Sequence, residues 1–236
     1  MGLKTLLGFK KRRWRKEIRF FLDEMRRQFP GYEWDEFEKL AQHFRHKEMS
    51  SQLERTFLFR LARDLPLNAK VVEIGSWIGE STCYLASGLR GDQSCLYAVD
   101  TFAGDSDTPI ERNYYSGIMT KLKISNTKEL FDRNLAFFGL SGRVQTIAGD
   151  SVTAAQNFSE PPESLDLLFI DGDHSERAVL NDLDAWLPFV KPQGLVLFHD
   201  FSSPMGVPQA VWRASQQNQF SELVGIYGTL LALRKV

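Results

Sequence analysis

The chain has 236 residues, 43% apolar and 25% charged, a balance that excludes a disordered, collagen-like or low-complexity protein. A chain this long buries about 70% or more of its unfolded surface and needs no disulfide staples; its two cysteines, Cys83 and Cys95, show no metal-ligand spacing and fit a reducing compartment. The net charge of −1 hides an asymmetry: residues 1–27 carry ten Lys/Arg against three acids, while the other 209 residues carry 19 bases and 27 acids.

The basic head suits nucleic acid, an anionic membrane surface or an acidic partner. No apolar run reaches the roughly 18 residues of a spanning helix. The N-terminus lacks the charge-then-apolar order of an export signal, and Leu6 breaks the myristoylation pattern. The expected location is cytoplasmic, peripheral at the inner membrane surface if the head docks there. Its interleaved Leu3, Leu6, Phe9, Trp14 and Ile18 suit such an interfacial helix or packing on a sister subunit.

In chain order, residues 14–29 and 33–47 read as helices parted by Pro30-Gly31, and 51–64 as a third. This third helix opens on Ser51 with Glu54 three residues later, the spacing of a capping box, and Pro66 ends it. The period then changes. Residues 69–75 read as a buried strand, followed by a helix at about 79–89. Further strands follow at 94–100, 144–148, 165–171 and 195–199, with a helix at about 175–189. Residues 101–125 show weak periodicity and read as a lid or binding loop. Residues 220–227 and 229–234, parted by Gly228, read as an antiparallel hairpin.

Nearly all-apolar strands alternating with helices mean a parallel sheet covered on both faces. The expected fold is α/β: a Rossmann-like, doubly wound, mostly parallel seven-stranded sheet with an antiparallel terminal hairpin and an N-terminal helical extension. The extension is placed at 1–48 and the main domain at 49–236. In such sheets ligands bind at the carboxyl ends of the strands, near the switch point. Four strands end there in reactive residues: Glu73-Ile-Gly75, Asp100, Asp171 and His199-Asp200.

The turn Gly75-Ser76-Trp77-Ile-Gly79-Glu-Ser81 lets backbone approach a ligand while the next helix offers its N-terminus. Its spacing is not the G-x-G-x-x-G of dinucleotide folds, which disfavours a nicotinamide dehydrogenase. Asp100 can accept bonds from both hydroxyls of a ribose, so the spacing implies a ribose-bearing ligand.

Taken with Tyr97-Ala-Val-Asp100, Gly149-Asp-Ser151, Phe169-Ile-Asp-Gly-Asp-His174 and Phe198-His-Asp200, the segment Val71–Ser81 resembles a class I S-adenosylmethionine (SAM)-dependent methyltransferase. The likeness is to the catechol-type and macrolide or sugar O-methyltransferase branch, the family-24-like methyltransferases, and spans about 50–235. It implies that Glu73 and Gly75 bracket the methionine end of the cofactor, with Ser76, Trp77 and Gly79 in the turn. Ser81 falls near the methionine carboxylate. Asp100 would hold the ribose, Thr101 and Phe102 would flank the adenine, and Asp150 with Ser151 would meet its edge. Trp77 departs from the wider superfamily, which has a glycine there.

In the metal-dependent branch a divalent cation, Mg²⁺ or another, binds the acceptor oxygens. The resemblance implies Asp171 and Asp200 as its ligands, Asp171 also bordering the cofactor. An acid or amide should follow Asp200, but Phe201 stands there and cannot ligate. Asp173, His174 or His199 can supply a further ligand, or the site is metal-free with Asp173 or His174 as base; Asp171, Asp173, His174 and His199 are thus the catalytic candidates. The implied acceptor is a small molecule or glycan, its pocket walled by residues 33–60 and 102–118 with Arg112, Tyr114 and Tyr115. The chain is also open to homo-oligomerisation and to membrane or partner docking through residues 1–27. An RNA methyltransferase using the basic head is the alternative, disfavoured because the catalytic region carries no basic stripe, and a non-catalytic SAM-binding module is the other.

Overall fold

The computed structural model describes residues 23, 26–27, 30, 34–44, 50–104, 106, 109–202 and 206–236. The basic head and the helix expected at 14–29 therefore lie almost wholly outside the described residues. The chain divides into two compact units, Met1–Glu48 and Met49–Val236. In the first, helix α1 (Trp34–Phe44) buries Trp34, Phe37, Leu40, Ala41 and Phe44, the i, i+3, i+4 stripe of an amphipathic helix. Arg26 pairs with Asp35 at 2.6 Å.

The second unit opens on α2 (Gln52–Asp64). Its capping box forms as the spacing predicts: Glu54 N–H donates to Ser51 Oγ at 3.3 Å, and the Ser51 N–H donates to Glu54 Oε2 at 2.5 Å. Then come β1 (Lys70–Ile74), α3 (Glu80–Gly88), β2 (Cys95–Asp100), α4 (Pro109–Leu122), α5 (Lys128–Phe137), β3 (Val144–Ala148) and α6 (Ser151–Gln156). The remainder is β4 (Leu165–Ile170), α7 (Glu176–Trp186), a 3₁₀ turn at Leu187–Phe189, β5 (Val190–Phe198), α8 (Val207–Ser215), β6 (Phe220–Tyr227) and β7 (Leu230–Lys235).

The seven strands form one sheet in the order β3-β2-β1-β4-β5-β7-β6. β1 pairs in parallel with β2 and β4, β2 with β3, and β4 with β5. β7 runs antiparallel between β5 and β6. β4 is buried at all six residues because helices cover both faces, which is why it reads as an unbroken apolar run. The chain winds outward from β1 to β3, then returns to β4 on the other side. That reversal leaves the crevice over the carboxyl ends of β1 and β4, where ligands bind in doubly wound sheets.

The structure departs from the sequence expectation in the connections. The segment read as a lid, 101–125, contains α4: Pro109 opens it, but Asn113, Gly117 and two tyrosines weaken its helical period. Only Met119 of its described side chains is fully buried. Helix α5 also went unpredicted; it buries just Phe131, Asn134 and Leu135, too few for a clear period. α6 has six residues, below what periodicity detects. α8 is a further helix beyond those expected, and it buries Val207, Ala210, Val211 and Ala214 at helical spacing.

Candidate active site

The loop after β1 is shaped by close backbone approach. A Cβ on Gly75, which sits at φ 86°, would lie 2.0 Å from the Asp171 carbonyl oxygen, so no larger residue fits. The Gly75 N–H donates to Val99 O, and the Asp171 N–H donates to Ile74 O, tying the ends of β1, β2 and β4 together. Trp77 takes φ 48°, a left-handed conformation that non-glycine residues seldom adopt.

Asp100 staples this loop to the next. Its Oδ2 accepts the Trp77 N–H at 2.7 Å and its Oδ1 accepts the Phe102 N–H at 2.6 Å. Asp100 also lines the cleft above these loops. Beneath the loop, Glu73 is fully buried and accepts from the hydroxyls of Ser76 (2.9 Å) and Thr82. Burial raises its carboxyl to about 7 despite these bonds.

Over the strand ends opens a cleft of about 630 Å³, bordered by Gly75, Asp100, Asp150, Asp171 and Asp173 below and by α4 and α7 at its sides. Ser106 Oγ donates to Asp173 Oδ2 at 2.7 Å, and the Ser175 N–H donates to Asp173 Oδ1 at 2.8 Å. Arg112 clamps the Ser106 carbonyl with two donors at 2.6 and 2.9 Å. Trp77 and Tyr115 pack ring to ring at 4.8 Å. At the far wall Ser151 bonds Asp182, whose burial raises its carboxyl to about 7.

A smaller cavity, about 80 Å³, lies beside this cleft; Gly75, Trp77, Tyr115 and Asp171 line both. Asp171, His174, His199 and Asp200 converge on it. His199 Nδ1 lies 3.0 Å from Asp171 Oδ1 and 3.6 Å from Asp200 Oδ2. His174 Nε2 lies 3.6 Å from the same Asp171 oxygen and 3.4 Å from the same Asp200 oxygen. Burial opposes charge on His199, but Asp171 and then Asp200 outweigh it and lift the imidazole well above neutrality. Burial likewise works against Asp171, and His199 with His174 holds its carboxyl low. His199 does the same for Asp200.

The structure thus brings Gly75, Trp77, Asp100, Thr101, Asp150, Ser151, Asp171 and Asp173 to the large cleft. Ser76, Ser81, His174, His199 and Asp200 line the small one. Glu73 lies beneath the loop, and Gly79 forms the N-cap of α3 at φ 84°. Phe102 is buried against Phe131 at 5.2 Å. Asp150 Oδ1 caps α6 by accepting the Thr153 N–H at 2.8 Å. Of the expected acceptor walls, Arg112 and Tyr115 line the cleft, while Tyr114 is exposed.

Two residues that sequence reasoning missed sit behind the cluster. Glu54 Oε1 accepts the N–H (2.6 Å) and the Oγ–H (2.7 Å) of Thr229 and lies 4.0 Å from His199 Nε2. Thr229 Oγ1 is 3.5 Å from that nitrogen. Glu54 read only as half of a capping box; a link across 175 residues leaves no local signal. Asn181, Asp182 and Arg177 also line the cleft unforeseen, since polar and charged residues on a helix read as its solvated face.

A family model described as "Methyltransferase domain" matches residues 72–201, which contain every strand end named above. An uncharacterized protein of Sinorhizobium fredii is 29% identical over 133 residues, 56% of this chain; the chain spans 13% of the length of that relative. An O-methyltransferase of Bacillus cereus, solved in complex with S-adenosylhomocysteine (SAH), aligns with a TM-score of 0.58 at 16% identity, covering 90% of this chain and 96% of its own. The O-methyltransferase TomG of Streptomyces achromogenes, involved in tomaymycin synthesis and solved with SAM, aligns at 0.57 and 18% identity, covering 87% and 92%. At these identities the structures speak for the fold, and the family model speaks for kinship. The chain belongs to this methyltransferase-domain family and has the fold of the class I SAM-dependent methyltransferases.

Proposed function

We propose that the chain transfers a methyl group from SAM to a hydroxyl oxygen of a small molecule or sugar. The observation that carries this is a pair of adjacent cavities: a cleft of about 630 Å³ over the switch point shares Gly75, Trp77, Tyr115 and Asp171 with a cavity lined by three acids and two histidines. The cleft has the size of a cofactor site, and Asp100 lines it at the end of β2, a carboxylate placed where a ribose-bearing cofactor needs an acceptor. When bound, SAM supplies the methyl group and leaves as SAH.

The chain's own residues do the rest. Trp77 and Tyr115 form the wall shared by both cavities and orient an acceptor toward the cofactor. A hydroxyl that gains a methyl must lose its proton. Of the two bases suggested by sequence, Asp173 faces the large cleft, whereas His174 is drawn between Asp171 and Asp200. Asp173 is therefore assigned as the proton acceptor, held in place by the Ser175 N–H. Asp171 and Asp200 would hold a divalent cation, which lowers the pKa of a bound hydroxyl. Residues 49–236 carry this chemistry, and residues 1–48 are an addition to it.

Calorimetric titration with SAH tests the cofactor half: one site per chain is expected, and no binding at millimolar SAH overturns the reading. Asp173→Asn should then keep SAH affinity while slowing transfer by at least about 100-fold. A panel of phenols and sugars, assayed with and without EDTA, identifies the acceptor.

A further inference from the structure

We propose that Asp182 sets the base specificity of the large cleft: its Oδ2 accepts a hydrogen bond from the 6-amino group of the cofactor's adenine. The assignment rests on the cofactor half of the methyl-transfer reading and adds to it the residue that tells one purine from another.

Asp182 lies on α7, is only 6% exposed and lines the cleft. Val152 and Ala178 line it as well, apolar side chains suited to the rim of an aromatic ring. With Asp100 at the ribose and Asp171 at the border of the small cavity, the wall made by α6 and α7 is the part of the cleft left for the base.

The carboxyl is fixed on one oxygen and open on the other. Ser151 Oγ donates to Asp182 Oδ1, and Trp186 Nε1, one turn further along α7, donates to Ser151 O at 3.1 Å. Asp182 Oδ2 has no hydrogen-bond donor among the described residues. It stands 3.5 Å from where a Cβ on Gly172 would lie, and Gly172 itself lines the cleft, so the lack of a side chain there leaves this oxygen uncovered. A nearly buried acceptor without a donor is costly. Burial, with Asp150 and Asp173 nearby, raises the carboxyl to about 7, and an N–H from a ligand offsets that penalty.

The two residues expected at the adenine edge are engaged elsewhere. Asp150 is exposed, and its Oδ1 accepts both the N–H and the Oγ–H of Thr153 at 2.8 Å. The Ser151 hydroxyl is turned to Asp182. Adenine offers a carboxylate one donor on that edge, its 6-amino group, where hypoxanthine carries a 6-oxo acceptor. A 6-oxo group facing Oδ2 sets acceptor against acceptor in a buried place, so rejection comes from unpaired polar groups and not from size.

Calorimetric titration of the full chain with SAH and with its inosine analogue, which differs only by 6-oxo for 6-amino, tests this. The wild-type chain should bind SAH at least about tenfold more tightly than the analogue. Asp182→Ala, and the isosteric Asp182→Asn, whose amide can turn either its oxygen or its nitrogen to the base, should bring the two affinities within about threefold. A merely structural role would weaken both ligands alike and keep their ratio, which overturns the assignment. Equal affinities in the wild-type chain overturn it too, and because SAH still binds, the methyltransferase reading stands. No binding of SAH to the wild-type chain overturns that reading itself. Should Asp182→Ala not fold, the wild-type ratio and Asp182→Asn decide.

Discussion

Gly75 shows how tightly the site is built around single residues. The Asp171 carbonyl occupies the space where its Cβ would go, and its φ of 86° disfavours any L side chain. Gly75→Ala should therefore lower stability by about 2 kcal/mol or more and abolish SAH binding, read from denaturant midpoints and calorimetry. Glu73 makes a second prediction at this level. Its carboxyl holds a proton up to about 7 in the folded chain, against an ordinary 4.5. The folded state therefore binds more protons than the unfolded one between those values, and stability falls as pH rises through the window. Glu73→Gln removes one of two titrating groups and should lessen that fall by up to about 3 kcal/mol, leaving the part due to Asp182, which is also raised to about 7. Urea midpoints at pH 4.5, 6 and 7.5 check it; a variant with the wild-type slope would show that another group titrates.

At the level of elements, α2 combines two duties that sequence separates poorly. Ser51 and Glu54 announce a helix start, and the structure confirms it. Ser51→Ala should cost about 1 kcal/mol. Glu54→Ala should cost clearly more, because it also strips Thr229 of its acceptor and His199 of a carboxylate neighbour. Equal losses in thermal or chemical denaturation would mean that the Thr229 link contributes nothing. The strands and the helices α2, α3 and α7 were readable because each buries a continuous run or a regular stripe, as β4 and α7 do. Helix α4 was not, since Gly117 and its tyrosines blur the period and its placement depends on packing such as Met119 against Gly104.

For the whole molecule, the charge asymmetry and the division at Glu48/Met49 point the same way. No helix among the described residues is long and apolar enough to cross a membrane. A chain beginning near residue 30 should keep SAH affinity within about twofold by calorimetry. Its loss would place residues 1–29 within the fold.

By itself the sequence determined the sheet, the winding of the chain and the four reactive strand ends. Those are local properties: an apolar run marks each strand, and the residue that ends it is read directly. It also showed Asp171 and Asp200 at two strand ends, with Phe201 after the second. Which side chains share their cavity is a matter of tertiary structure. His174 and His199 stand 25 residues apart yet line one cavity through the register of β4 against β5, and Glu54 and Thr229, from opposite ends of the domain, meet behind His199. Distances between side chains on separate elements depend on how the sheet stacks them, and no pattern along the chain records that.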